Sequence, residues 1–223
     1  MKIIKTGDGS DTIFLEDINE TYHSKNGAVQ ESMHVFIKNG FRFLISTYPR
    51  KTIKILEIGF GTGLNAILTA LESNKFRQPV EYTGIEPFPL SSEIIDMLNY
   101  KFMLNDLSRE NLWFKIHESD FEKIVTIHSF FKIIMIQSTI QAYDPEAEKF
   151  DLIYFDAFAP NKQPDIWQKD ILGKVFDLMN NRSVFVTYSA QGQVKRDMKN
   201  IGFTLHSLQG PPGKKEMIRG IKD

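Results

Sequence analysis

Short apolar runs alternate along the chain with stretches in which apolar residues recur at helical spacing. The runs are rich in β-branched residues and predict strands buried on both faces, as in a parallel sheet. After the first of them, Leu64, Ile67, Leu68 and Leu71 recur at the spacing of one helix face. Strands that alternate with helices are typical of an α/β fold with a mostly parallel sheet. The predicted core strands are residues 53–58, 80–85, 130–136, 152–155 and 183–188.

The first of these strands ends in a glycine-rich turn, GFGTG at residues 59–63. Glycine allows positive φ and lets a ligand approach the bare backbone. A strand, a glycine-rich turn and a helix together form the nucleotide-cradling unit of doubly wound sheets. A dinucleotide fingerprint needs Gly or Ala three positions after Gly61, and Leu64 occupies that position. The sequence therefore predicts a ligand at this turn, but not a dinucleotide.

An acid, Glu57, precedes the three glycines, and this arrangement resembles the first motif of class I methyltransferases, which bind S-adenosylmethionine. That cofactor carries an ammonium and a sulfonium and no phosphate, so carboxylates suit it. Glu86 ends the next strand, 29 positions later (86 − 57), at the edge where open α/β sheets bind ligands and where an acid accepts the ribose hydroxyls. The cofactor-binding residues that this resemblance implies are Glu57, Gly59, Phe60, Gly61, Gly63, Asn65 and Glu86.

The strand at 152–155 ends in Asp156-Ala-Phe158-Ala-Pro160. If the strands are parallel, Asp156 lies at the same edge of the sheet as the glycine turn. The stretch resembles the acceptor-binding motif of amino-group methyltransferases. This resemblance implies that Asp156 is the catalytic residue, that Phe158 stacks on a planar base and that Pro160 completes the wall. The alternative is that Asp156 is an ordinary turn residue at a strand end.

Residues 1–50 precede the methyltransferase core at 51–223 and are expected to form a small appendage of the same domain. The turn signal at residues 7–9 separates two short predicted strands. A helix is predicted after Gly27. Its periodicity places Glu31 on the polar side, where a solvated face is the simplest interpretation.

Residues 203–208 and 214–221 predict an antiparallel pair around a Gly-Pro-Pro-Gly loop, which would give a seven-stranded, mostly parallel sheet with an antiparallel last strand. The last 29 residues hold seven Lys or Arg and three acids. Lys214 and Lys215 directly follow the loop and could contact phosphates. Protection of a sheet edge explains the same lysines equally well. The stretch 105–130 is expected to be an insertion without an assigned role.

The composition excludes several classes of protein. The 223 residues have a net charge of −1, which gives no global attraction to nucleic acid or membrane. Disulfides, thiolate catalysis and Cys-type zinc sites are excluded because the sequence has no cysteine. The N-terminus lacks the apolar core of a signal peptide, and no apolar run approaches about 18 residues. A cytoplasmic enzyme without a membrane partner is therefore expected.

Four stretches, in the same order as in the family, resemble the methyltransferase half of the MnmC family. The glycine turn is shared by many methyltransferases, whereas Asp-Ala-Phe-Ala-Pro and Gly-Pro-Pro-Gly-Lys are much more particular. The similarity runs over nearly the whole chain. The four stretches are residues 22–36 (Tyr-His-Ser, Gly-Ala, Glu-Ser, Val-Phe), 57–65, 156–167 and 210–220.

This resemblance implies an S-adenosylmethionine-dependent N-methyltransferase that converts the 5-aminomethyl group of (2-thio)uridine at the wobble position of tRNA to 5-methylaminomethyl. It adds Glu31 to the cofactor-binding residues and makes Lys214 and Lys215 substrate contacts. Two-domain members also carry an FAD-dependent oxidase. We expect a stand-alone methyltransferase form here, with no FAD, no metal and no obligate protein partner. Two-domain members carry Gly-Asp after the third strand, and here Ser138 is expected to take that place beside the adenine.

Two other functions fit the same residues. An N-methyltransferase for a small amine would need no RNA. The composition does not argue against it, because the sequence has no strong basic patch. A non-catalytic module could keep the fold and bind S-adenosylmethionine. The presence of both Glu86 and Asp156 argues against this module.

Overall fold

The computed structural model describes residues 1–100 and 107–223. Its centre is an eight-stranded sheet in the order β10-β11-β9-β8-β4-β5-β7-β6. The five central strands, from β9 to β7, run parallel to one another, and β10, β11 and β6 pair antiparallel with their neighbours. The strands of this sheet are β4 (Ile53–Ile58), β5 (Val80–Ile85), β6 (Val125–His128), β7 (Phe131–Ile136), β8 (Phe150–Phe155), β9 (Met179–Thr187), β10 (Thr204–Gln209) and β11 (Glu216–Lys222).

Helices cover both faces of this sheet. The chain between the glycine turn and β5 forms α3, and the helices α6 and α7 follow β8 and β9. Two apolar cores result, one on each face. The helices are α1 (Ala28–Ser32), which continues through a π-helical segment (Met33–Arg42) into α2 (Phe43–Thr47), then α3 (Leu64–Phe76), α4 (Ser92–Met97), α5 (Leu107–His117), α6 (Lys169–Asp177) and α7 (Gly192–Ile201), with a 3₁₀ turn at Pro164–Trp167.

The expected fold class is confirmed, but the sheet has eight strands and not seven. The additional strand is β6, which lies in the stretch expected to be an insertion and pairs antiparallel with β7. Ile127 is the one buried residue of this strand. The residues of β6 alternate between apolar and polar (Val125-Thr-Ile-His128), but four residues with one buried side chain are too short a pattern to set a strand apart from a loop.

The strand β8 shows why the centre of the sheet was readable from the sequence. All six of its residues are buried. The polar member of the run, Asp151, is satisfied by the guanidinium of Arg50, the amide of Asn180 and the backbone N–H of Lys54. A buried carboxylate is tolerated only with partners of this kind.

The first fifty residues form a small antiparallel sheet of β1 (Lys2–Lys5), β2 (Asp11–Leu15) and β3 (Glu20–Thr21), followed by the α1–α2 helix. The carboxylate of Asp8 accepts the backbone N–H of Gln30 at 2.9 Å and so satisfies a free donor at the start of that helix. Ile13 and Phe36 belong to the same apolar core as Ile53 and Ile55 of β4 and the apolar residues of α3. This part of the chain therefore packs directly on one face of the large sheet.

Candidate active site

A cavity of about 550 Å³ opens at the carboxyl ends of β4, β5, β8 and β9. Its size is that of a small-molecule site, and its position is the one at which open α/β sheets bind ligands. Its lining residues form two groups, one at the glycine turn and one around Asp156. The glycine-turn end consists of Gly59, Gly61, Glu86, Phe88 and Ser138, and the Asp156 end consists of Tyr22, Asp156, Phe158, Gln163 and Tyr188.

The glycine turn lies against its neighbours too closely for side chains. Gly59 has φ of 88°, and a Cβ there would lie 2.6 Å from the backbone oxygen of Asp156. Gly61 has φ of 51°, and a Cβ there would meet the ring of Tyr22 at 3.0 Å. Both positions thus require glycine, for backbone conformation and for space. Gly59 and Gly61 also line the cavity, so bare backbone of the turn faces it.

Glu86 joins the turn to the end of β5. Its carboxylate accepts the backbone N–H of Gly61 at 2.9 Å and that of Phe88 at 3.0 Å. Burial raises the pKa of this carboxyl above its ordinary value, and the two N–H bonds oppose that rise. Each carboxylate oxygen has a second lone pair, so Glu86 can still accept hydroxyl donors from the cavity.

Glu57, by contrast, lies behind the cavity wall. It is fully buried and accepts the hydroxyl of Tyr82 at 2.7 Å. The amide of Asn65 donates at 2.8 Å to Glu57 and at 2.8 Å to Asp156, and so connects the two acids. Burial holds the pKa of Glu57 well above its ordinary value, and the charge of Asp156 adds to this effect. Neither Glu57, Asn65 nor Gly63 lines the cavity.

Asp156 lines the cavity directly. Burial, followed by the charge of Glu31, raises the pKa of its carboxyl to about 7, while the Asn65 bond and the charge of Lys214 act in the opposite direction. Its backbone N–H donates to the oxygen of Ile58 at 2.9 Å, which holds it beside the glycine turn. A carboxyl with a pKa near neutrality is suited to proton transfer at neutral pH.

The loop after Asp156 forms one wall of the cavity. The ring of Phe158 meets the edge of Tyr22 at 5.4 Å between centroids, in a T-shaped arrangement. The backbone oxygen of Phe158 accepts the indole N–H of Trp167 at 2.8 Å, which fixes the loop on the 3₁₀ turn. Pro160 lies outside the lining of the cavity. Ser138 lines its opposite end, and its hydroxyl donates to the oxygen of Thr139 at 3.1 Å.

Glu31 and Lys214 lie next to the cavity and bind each other. Their charged groups are 2.6 Å apart, and Glu31 is only 5% exposed. The second oxygen of Glu31 accepts the backbone N–H of Ser24 at 2.8 Å. The ammonium of Lys214 also lies 3.5 Å from the ring centroid of Tyr188. Glu31 is therefore not on a solvated face, whereas Lys215 is exposed to solvent.

Several residues that line the cavity were not predicted from the sequence. Tyr22 and His23 come from the segment before α1, and Tyr188 follows β9. The ring of His23 bonds to the hydroxyl of Thr62 at 2.7 Å, and burial lowers the pKa of His23 to about 4, so this side chain is neutral at neutral pH. The position of Tyr188 at a strand end was the available signal, since it follows the same rule that identified Asp156.

Over residues 1–100 and 107–223, no group of three or more His, Asp or Glu side chains is arranged to hold a metal ion. Within the same residues, none of the helices combines the length and apolar character needed to cross a membrane.

The sheet, the glycine turn and the cavity at its carboxyl edge together describe a class I methyltransferase, and the comparison with known families agrees. A model of the S-adenosyl-L-methionine-dependent methyltransferase family matches residues 102–223, which is more than half of the chain. The chain therefore belongs to this family, and the predicted class of enzyme is confirmed.

The names of similar proteins are more specific than the description of the family. Over 219 residues the chain is 29% identical to a Leptospira borgpetersenii protein named "tRNA 5-methylaminomethyl-2-thiouridine biosynthesis bifunctional protein MnmC", with 91% of this chain and 32% of that protein covered. A Marinomonas protein of the same name is 28% identical over 220 residues, with 91% and 31% covered. The chain thus spans about a third of the length of these relatives. The whole chain aligns with the crystal structure of MNMC2 from Aquifex aeolicus, with a TM-score of 0.79 and 24% identity, and the alignment covers 70% of that protein. The two proteins therefore share a fold.

Proposed function

We propose that this protein methylates the 5-aminomethyl group of (2-thio)uridine at the wobble position of tRNA, with S-adenosylmethionine as methyl donor, in the cytoplasm. The observation that carries the proposal is that Asp156, Phe158 and Glu86 line one cavity at the glycine turn. The relatives named for 5-methylaminomethyl-2-thiouridine biosynthesis support the choice of acceptor.

The residues of the glycine-turn end fit the cofactor. Gly59 and Gly61 line the cavity without side chains, so the backbone of the turn is open to a ligand. The free lone pairs of Glu86 suit the two ribose hydroxyls. Phe88 and Ser138 line the cavity beyond Glu86, where we expect the adenine. When bound, S-adenosylmethionine supplies a methyl group on a sulfonium, and the leaving thioether is neutral.

The residues of the Asp156 end have two tasks. They must hold a neutral amine lone pair in line with the methyl group at about 3–3.5 Å. They must also take a proton, because an aliphatic amine is mostly protonated at neutral pH. The rings of Phe158 and Tyr22 offer a wall for a planar base. The carboxylate of Asp156 accepts an N–H bond from the amine and removes its proton, for which a pKa of about 7 is well matched.

An RNA acceptor also needs contacts to phosphate. Lys215 is exposed, and its ammonium makes no ion pair with any residue that the structure describes. Lys214 follows the same loop, but its ammonium is bound to Glu31. We therefore expect Lys215 to provide the larger part of any phosphate contact made by this loop.

The test is mass spectrometry of tRNA nucleosides from a strain in which the gene has been deleted. We expect nucleosides of the 5-aminomethyluridine type to accumulate. The wild-type gene should restore the methylated form, and a gene encoding Asp156→Asn should not. An unchanged nucleoside profile in the deletion strain would rule out the tRNA acceptor and leave the small-amine N-methyltransferase as the function to test.

A further inference from the structure

Lys214 is held in place by its own loop. A Cβ at Gly210 would lie 2.4 Å from the backbone oxygen of Lys214, so only glycine allows the loop to close this tightly. The backbone N–H of Lys214 donates to the oxygen of Pro211 at 2.9 Å, and that of Gly210 donates to the oxygen of Lys215 at 3.2 Å. The backbone of the loop is therefore closed at both lysines, but only the Lys214 side chain is held, by Glu31, whereas Lys215 is exposed.

The Lys214 side chain lies between two parts of the protein that line the cavity, the segment before α1 and the end of β9. Its partner Glu31 also accepts the backbone N–H of Ser24, the residue after the lining residues Tyr22 and His23. On the other side, the ammonium of Lys214 lies over the ring of Tyr188. The hydroxyl of Tyr188 in turn donates to the backbone oxygen of Ala157 at 2.8 Å, directly after Asp156. The ammonium thus contacts Tyr188 directly and is connected through Glu31 and Ser24 to the segment that carries Tyr22 and His23.

The charges around Asp156 are unbalanced without this lysine. Lys214 is the one cation of the described residues that acts on the Asp156 carboxyl, and Glu31 acts on it with the opposite sign. The remaining groups that face Asp156 are anionic or neutral. They are Glu57 and Asn65 from β4 and α3, Tyr188 after β9, and, at longer range, Tyr82 and Tyr100.

We propose that Lys214 is a positioning residue of the reaction, whose ammonium joins the two walls of the Asp156 end and neutralises Glu31 beside the base. This role rests on the proposed function, because it assumes that Asp156 takes the proton. It replaces a phosphate contact as the main task of Lys214, and leaves that task to Lys215.

The proposal predicts effects of opposite sign for the two partners. Without the ammonium, Glu31 and Asp156 form a pair of like charges, and one of them stays protonated to higher pH. Lys214→Met should therefore move the acid limb of the kcat/KM profile up by about 1 pH unit, the lower end of the range for one nearby charge. Glu31→Gln removes the anion and should move the limb down. The double variant should return close to the wild-type position.

The experiment measures kcat/KM against pH for the wild type, the two single variants and the double variant. The substrate is tRNA that carries the 5-aminomethyl group and has not yet been methylated. Lys215→Met is the matched control, because it removes the same charge at the adjacent position. Whatever it does to RNA affinity, it should leave the limb where it is. Calorimetry with S-adenosylhomocysteine shows that each variant keeps a folded cofactor site, and if Lys214→Met does not fold, Glu31→Gln and the double variant carry the test.

Two results would overturn the role of Lys214. The first is an acid limb that moves neither in Lys214→Met nor in Glu31→Gln. The second is a shift of the limb in Lys215→Met as large as the shift in Lys214→Met. Asp156→Asn separates this failure from failure of the proposed function. If the limb near pH 7 persists in Asp156→Asn, the base is misassigned, whereas a rise confined to higher pH, where the amine is already neutral, is expected of this variant. If the limb near pH 7 disappears there but ignores Lys214 and Glu31, only the positioning role is wrong.

Discussion

The glycine-turn end of the cavity is built by one strand–turn–helix–strand unit, from Gly59 to Phe88, with Ser138 after the neighbouring strand. The Asp156 end, by contrast, draws Tyr22 from the segment before α1, Asp156 from the end of β8 and Tyr188 from the end of β9. The first end depends on local backbone geometry and the second on contacts between distant parts of the chain. This difference implies that binding of the cofactor and turnover of the acceptor can be damaged separately.

The largest expected effect breaks the Asp156 end alone. Asp156→Asn keeps the shape of the side chain and the hydrogen bond to Asn65 after an amide rotation, but it cannot take a proton. We expect kcat to fall by about 10²–10⁴, the usual loss for a general base, with partial recovery at high pH where the amine is already neutral. S-adenosylhomocysteine affinity, measured by calorimetry, should be unchanged. Near-normal turnover at neutral pH would show that positioning alone suffices.

The converse variant breaks the glycine-turn end. Glu86→Ala leaves two ribose hydroxyls without an acceptor and two backbone N–H groups without a partner, so S-adenosylhomocysteine binding should weaken by about 1–3 kcal/mol. Calorimetry measures this directly. Glu81→Ala is the matched control, since Glu81 is an exposed acid of the same strand. Equal affinity of the Glu86 variant and the wild type would mean that the cofactor does not use this acid.

The pH profile sharpens the comparison without any mutation. Because the pKa of Asp156 is about 7, the base is protonated and inactive below that pH and charged above it. We expect kcat/KM to rise through about pH 7, with close to a tenfold loss per unit on the acid side. Cofactor binding should vary less over this range. If kcat/KM is constant between pH 6 and about 8, turnover does not depend on the charge of the Asp156 carboxyl.

The smallest expected effect concerns the RNA outside the cavity. If Lys215 contacts a phosphate, Lys215→Ala should weaken tRNA binding and lower its logarithmic salt slope by about one unit. Titrations at several salt concentrations measure this slope, with Lys123→Ala as an exposed-lysine control on another part of the surface. An unaltered slope would return Lys215 to the role of protecting a sheet edge.

What the sequence could predict follows the same division. The glycine turn, Glu86 and Asp156 could be predicted because each directly follows a short apolar run that the sequence identifies as a strand. The strand β6 was missed, since its apolar alternation extends over only four residues and buries only Ile127. Glu57 was expected among the cofactor contacts although it lies in a strand predicted to be buried on both faces; its partners Tyr82 and Asn65 could not be foreseen because they come from β5 and α3.

The pairing of Glu31 with Lys214 was beyond any local pattern. Helical spacing identified the polar side of α1, but it could not say what would cover that side. The loop from Gly210 covers it, and nothing in the spacing of either segment encodes the other. Resemblance to the MnmC family brought both segments to attention and assigned them to different ligands, cofactor and RNA, whereas the structure places them in contact with each other.

The separation of that pair along the chain has a consequence for folding. Glu31 and Lys214 are 183 positions apart, and Lys214 reaches its partner only when β10 and β11 have joined the sheet beside β9. Contacts between such distant residues form late, and during synthesis the N-terminal part of a chain is available first. The wall around Asp156 is therefore complete only when the C-terminal hairpin has joined the sheet.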